Sequence, residues 1–158
     1  MERIVLAVFL FFLGAGVGIT IVGNQMNKVV EEKHHSSEKF RIMYQMVERW
    51  MRIKQSDRTL VKYFEAHGYK NIAVYGMADI GKLLINELKN SSITVAYGID
   101  KNINASSVVE VFAPEESLKD VDAVVVTAIA YFDEIERMLS AKMKCPIISL
   151  EDLVYELG

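Results

Sequence analysis

Apolar residues follow three successive patterns along the chain. From Ile4 to Val22 no charged side chain occurs, and Thr20 is the only hydroxyl. From Phe40 to Phe64 apolar positions recur at helical spacing among charges. From Asn71 onward, short apolar runs alternate with amphipathic stretches. As a helix rising ~1.5 Å per residue, the first run spans roughly 28 Å, close to the ~30 Å hydrocarbon core of a bilayer. A cleaved signal peptide is the competing reading. Its apolar part usually covers about 7–15 residues before a small-residue cleavage site, whereas Ile19-Thr20-Ile21-Val22 stand in that place here. We therefore expect an uncleaved single-pass transmembrane anchor over residues 1–23. Arg3 precedes the run, and Lys28, Lys33, Lys39 and Arg41 follow it, so the positive-inside rule puts the remainder in the cytoplasm. Gly14 and Gly18 form a small-xxx-small pair, which either lets two membrane helices approach or reflects the ordinary glycine content of such helices.

Residues 24–38 are polar without apolar periodicity and read as a juxtamembrane linker or a solvated helix extension, His34 and His35 included. Residues 39–68 form an amphipathic helical segment. Phe40, Met43, Tyr44, Val47, Trp50 and Met51 make a stripe, with Arg41, Gln45, Glu48, Arg49 and Arg52 on other faces. Such a stripe is core or a partner surface, and a homodimer through the Phe40–Met51 helix is one outcome. Ser56 or Asp57 can cap a second helix with Leu60, Val61 and Phe64 on its apolar side, and Gly68 suits its stop.

Residues 69–158 alternate strand and helix. The expected strands are Ile72–Tyr75, Ile93–Ile99, Val108–Phe112, Ala123–Ile129 and Ile147–Leu150. The expected helices are Asp79–Lys89, with Ile80, Leu83, Leu84 and Leu88 on one side, then a short Pro114–Leu118, Phe132 to about Met143, and Glu151–Leu157. Near-continuous apolar strands between amphipathic helices predict an α/β fold whose parallel sheet is covered on both faces. About five strands in the order 3-2-1-4-5 would make a Rossmann-like domain. The stretch from Asp100 to Val108 shows no helical pattern, so an irregular loop is expected to reach the third strand.

Composition narrows the chemistry. The chain is 51% hydrophobic and 25% charged, enough for a packed core. A net charge of −3 argues against nucleic-acid binding. One cysteine and three histidines supply neither a disulfide framework nor a metal motif. No nucleophile elbow, Walker A sequence or Cys–His pair is present, so no catalytic residue is assigned. Tyr131, just past the fourth strand, is more simply a helix-flanking aromatic than an acid.

The informative turn is Gly76-Met77-Ala78-Asp79-Ile80-Gly81, between the first strand and its helix. In a G-x-G-x-x-G turn the first glycine permits the bend, the second lets pyrophosphate approach, and the third lets helix and strand pack closely. Gly76 and Gly81 fill the first and third places, and Ala78 stands at the second. Asp79 lies where helix-terminal amides would attract an anion, so a self-capped turn with packing glycines is the competing reading. Asp100, about 20 residues further on, can accept hydrogen bonds from ribose hydroxyls, and Lys101 can pair with it or meet a 2′-phosphate. Thr127 and Ala128 end the fourth strand across the switch point from this turn.

The stretch from Lys70 to Leu157 carries the Ile-Ala-Val-Tyr-Gly-Met-Ala-Asp-Ile-Gly turn, a Tyr-Gly-Ile-Asp strand end and a Pro-Ile-Ile-Ser-Leu-Glu-Asp close. It resembles small NAD(P)-binding-like Rossmann domains of bacterial surface-polysaccharide proteins and the amino-terminal domain of sugar-nucleotide acyltransferases. The resemblance implies a pocket around Gly76, Gly81 and Asp100 for NAD, NADP or a nucleotide sugar. The left-handed β-helix catalytic domain of those acyltransferases is missing. The expected protein is thus a membrane-anchored cytoplasmic accessory module that binds a nucleotide or nucleotide sugar, with surface-polysaccharide biosynthesis as the setting the resemblance implies. A minimal NAD(P)-dependent oxidoreductase or sugar-nucleotide-modifying enzyme completed by dimerisation, or a ligand-free scaffold, is the alternative.

Overall fold

The run Asn71–Tyr75 forms β1, with Ile72, Ala73 and Val74 wholly buried. Strand residues of alternate parity face opposite sides of a sheet, so burial of all three means that both faces of β1 are covered. In the computed structural model, which describes residues 33, 36–56, 58–105 and 108–158, β1 is the middle of a five-stranded sheet. The others are β2 (Thr94–Ile99), β3 (Val111–Phe112), β4 (Ala123–Val126) and β5 (Ile147–Ser149). All pairings are parallel and the order is β3-β2-β1-β4-β5, as the pattern predicts. Every side chain of β4 is buried, matching its uninterrupted Ala-Val-Val-Val.

Helices α1 (36–55), α2 (Leu60–Ala66), α3 (Asp79–Leu88), α4 (Phe132–Ser140) and α5 (Leu150–Leu157) complete the described residues, with a 3-10 turn at Ile129–Tyr131. One face of the sheet presents Ala73, Tyr75, Tyr97, Ile99, Val124 and Val126 to Ile135 and Leu139 of α4. Residues 43–158 make one compact unit and residues 1–42 another. Within the larger unit, α1 buries Met46, Trp50 and Ile53. Trp50 Nε1 donates to Glu87 of α3 at 2.9 Å, and the Arg49 guanidinium lies 4.5 Å from the Tyr155 ring centre of α5. Asp122 binds the start of β1 to that of β4, accepting from the Lys70 and Asn71 amides at 2.7 Å each. These two bonds hold its carboxyl below the usual value.

Several elements differ from the pattern for identifiable reasons. The N-cap of α2 is Thr59, which accepts from the Lys62 amide, whereas Ser56 Oγ turns back to Ile53 O at 2.9 Å and closes α1; Asp57 lies outside the described residues. Gly68, at φ +74°, does end α2. In α3 the buried residues are Gly81, Leu84, Ile85 and Leu88. Leu83 is 49% exposed, because the close seating of Gly81 fixes which face turns inward. Pro114–Leu118 is a single turn: Glu116 N–H donates to Ala113 O while Ala113 N–H donates back to the Glu116 carboxylate. Strand β3 keeps only Val111 and Phe112, and the segment reaching it has no helix among its described residues. Strand β4 stops at Val126, before the 3-10 turn, and α4 stops at Ser140, where Lys142 and Met143 amides both bond Leu139 O. The apolar run 4–22 lies outside the described residues; among those described, no helix is long and apolar enough to cross a membrane.

Candidate functional site

Strand order reverses about β1, which has β2 on one side and β4 on the other, and the crevice beyond such strand ends is where open α/β sheets bind ligands. The turn at the end of β1 is built on Gly76, whose φ of +92° is strained for any other residue. A Cβ there would lie 2.6 Å from Thr127 Oγ1 and 3.4 Å from the Ala128 amide nitrogen. A Cβ on Gly81 would strike the Gly76 carbonyl oxygen. The two glycines thus allow the turn, the first turn of α3 and the end of β4 to touch.

The structure brings most of the sequence-predicted residues together. Thr127, 5% exposed, donates its hydroxyl to Gly76 O at 2.7 Å, with Tyr75 O at 3.1 Å. Its backbone amide also bonds Tyr75 O at 2.9 Å, so β4 holds the turn from one side. Gly76 N–H donates to Ile99 O at 2.9 Å, and Met77 N–H donates to Asp100 Oδ2 at 2.7 Å, so β2 holds it from the other. Asp100 Oδ1 accepts from Asn102 N at 2.9 Å. Asp100 therefore faces the turn with both oxygens on backbone amides, and Lys101 beside it is exposed. Ala128 is half-buried against Gly76.

Sequence reasoning missed one partner. Met77 is wholly buried, and its thioether lies over Gly98, where an added Cβ would sit 2.6 Å from Sδ. The signal was present in the Tyr-Gly-Ile-Asp strand end, since a glycine inside a strand marks close approach by another group.

The opening of α3 is exposed. Its N-cap is Ala78, in extended conformation at φ −71° and ψ −165°, and its methyl group offers no oxygen to the helix-terminal amides. Asp79 sits inside the first turn rather than at the cap and is exposed. Burial first, then the carboxylates of Asp100, Glu115 and Glu134, raise the Tyr75 phenol above its ordinary value. Tyr131 is 53% exposed at the same end. Among the described residues, no three His, Cys, Asp or Glu side chains converge on a common point. Compared with family models, with curated proteins and with solved structures, the chain finds no match in any of the three.

Proposed function

We propose that residues 69–158 form a nucleotide-binding module, held at the cytoplasmic face of a membrane by the apolar run 4–22. The observation that carries this reading is the opening of α3 at the switch point, where the N-cap residue Ala78 has no side-chain acceptor and two glycines bring the backbone close. Amides at a helix start, aided by the helix dipole, favour a phosphate group. Asp100 lies within hydrogen-bond reach of the turn, where a carboxylate can also accept from a ribose hydroxyl. Each carboxylate oxygen has two acceptor sites, so one amide apiece leaves capacity for a ligand. The candidate ligands are NAD, NADP and a nucleotide sugar. The resemblance to polysaccharide-associated Rossmann domains makes the nucleotide sugar a natural member of this set.

The second reading is a ligand-free scaffold. It is favoured by the commitment of Asp100 to two backbone amides, which braces the turn without a guest. Calorimetry of the full chain in detergent with NAD, NADP and a UDP-sugar separates the readings. The module gives saturable heat with at least one of them and no turnover. Turnover would instead make it an enzyme, and absence of heat with all of them would leave the scaffold.

A further inference from the structure

We propose that the cleft between α1 and the end of α5 binds a phosphate monoester. This goes beyond the nucleotide reading and shares no residue with the glycine turn. The cleft measures about 690 Å³, inside the ~300–1,000 Å³ range of small-ligand sites. Arg49 and Arg52 line it from α1, Arg58 from the link to α2, and Tyr155 from α5. Among the described residues, Glu48 is the one carboxylate in its lining.

Each arginine is positioned by the protein with donors to spare, since a guanidinium carries five N–H groups. Glu48 accepts from Arg52 Nε at 2.6 Å, and Leu157 O accepts from Arg58 Nη1 at 2.8 Å. The Arg49 guanidinium lies over the Tyr155 ring, 4.5 Å from its centre. Its Nε is buried and has no acceptor among the described residues. A buried donor on a charged group is costly to leave unmatched, and native structures hold few of them. A Cβ on Gly158 would lie 2.5 Å from that Nε, so glycine keeps this edge of the guanidinium clear of a side chain.

Charge and shape select the guest. Three guanidinium groups against one carboxylate leave an excess of two positive charges, close to the charge that a phosphate monoester would neutralise at pH 7. Planar forks donate in pairs and match phosphate oxygens, whereas one carboxylate would leave a fork unmatched. Asp152 and Glu156 of α5 lie outside the lining. The volume exceeds what inorganic phosphate fills, so the ester carries an organic group of about the size of a sugar.

The test takes the full chain in phosphatidylcholine nanodiscs and follows, by peptide mass spectrometry, the rate at which phenylglyoxal modifies Arg52 and Arg58. One arm adds glucose 6-phosphate, with glucose as the control; the other replaces part of the lipid by phosphatidate. The expected result is slowing at both arginines of about tenfold near saturation, with Arg137 unaffected. Slowing in the first arm means a soluble ester, and slowing in the second a lipid headgroup. Arg49→Lys keeps the charge but loses the fork, and is expected to remove most of the effect. Arg58→Gln, at an exposed position, is expected to remove it at Arg52. No slowing in either arm, equal slowing at Arg137, or slowing unchanged in both variants overturns the site. Slowing that persists in Ala78→Asp places the phosphate away from the start of α3; slowing lost in that variant overturns the cleft. Nucleotide titration reads the glycine turn instead, so failure of this inference and failure of the nucleotide reading are told apart.

Discussion

Thr127 shows how much of this site depends on single atoms. Its hydroxyl is the side-chain link from β4 to the glycine turn. Thr127→Val keeps the shape, removes that donor and leaves a carbonyl unsatisfied, at a cost of about 1–2 kcal/mol in unfolding free energy. Thr127→Ser retains most of the stability, and chemical denaturation of both variants checks the difference. Gly81→Ala forces a methyl group onto the Gly76 carbonyl and is expected to cost about 1–3 kcal/mol, read in the same way. At this scale much was legible in advance. The glycine spacing and the acid at the end of β2 pointed to one place, and Met77, Asp100 and Thr127 do meet there. What spacing could not disclose is which groups the oxygens of Asp100 bind, because local amides and a distant ribose ask for the same acceptor. The burial of Met77 over Gly98 was equally hidden, since it is a contact between elements rather than a pattern within one.

Among elements, the strands were the most readable, for a parallel sheet buried on both faces leaves unbroken apolar runs. Helix faces were less so. The stripe from Phe40 to Met51 divides into Trp50, which faces the domain, and Met43, Tyr44 and Met51, which do not. A hydrophobic pattern records that a side chain is apolar, not what covers it. Leu83 was misplaced because the seating of Gly81, not the average hydrophobicity of α3, sets the rotation of that helix. The ties between strand starts leave no pattern in the sequence either. Asp122 joins β1 to β4 through two amides, and its folded-state pKa lies below the ordinary 3.8. A carboxylate whose pKa is depressed on folding adds stability that is complete above its unfolded value and is lost as pH falls through the folded one. Urea midpoints should therefore favour the wild type over Asp122→Asn by a constant margin above about pH 5. The margin should shrink below about pH 4; a margin unchanged down to pH 2 would contradict the role given to these bonds.

The molecule as a whole carries an apolar amino-terminal run, an amphipathic helix and a small α/β unit with an uncapped helix at its switch point. A set of bonds from Asp100 and Thr127 fixes the backbone of one turn. Rigidity of that kind serves recognition, since amides already in place need no ordering when a ligand arrives. It would also serve a scaffold, so stability alone does not separate the two roles. One substitution makes them diverge. Ala78→Asp places a carboxylate at the N-cap, where the extended backbone suits it, and is expected to stabilise α3 by about 1 kcal/mol. The same carboxylate occupies the amides that a phosphate would use. The deciding measurement is calorimetric titration of wild type and Ala78→Asp with NAD, NADP and a UDP-sugar, alongside their melting temperatures. The account predicts a higher Tm for the variant together with loss of the binding heat seen in the wild type. Equal binding by both chains, or no binding by the wild type, would contradict it.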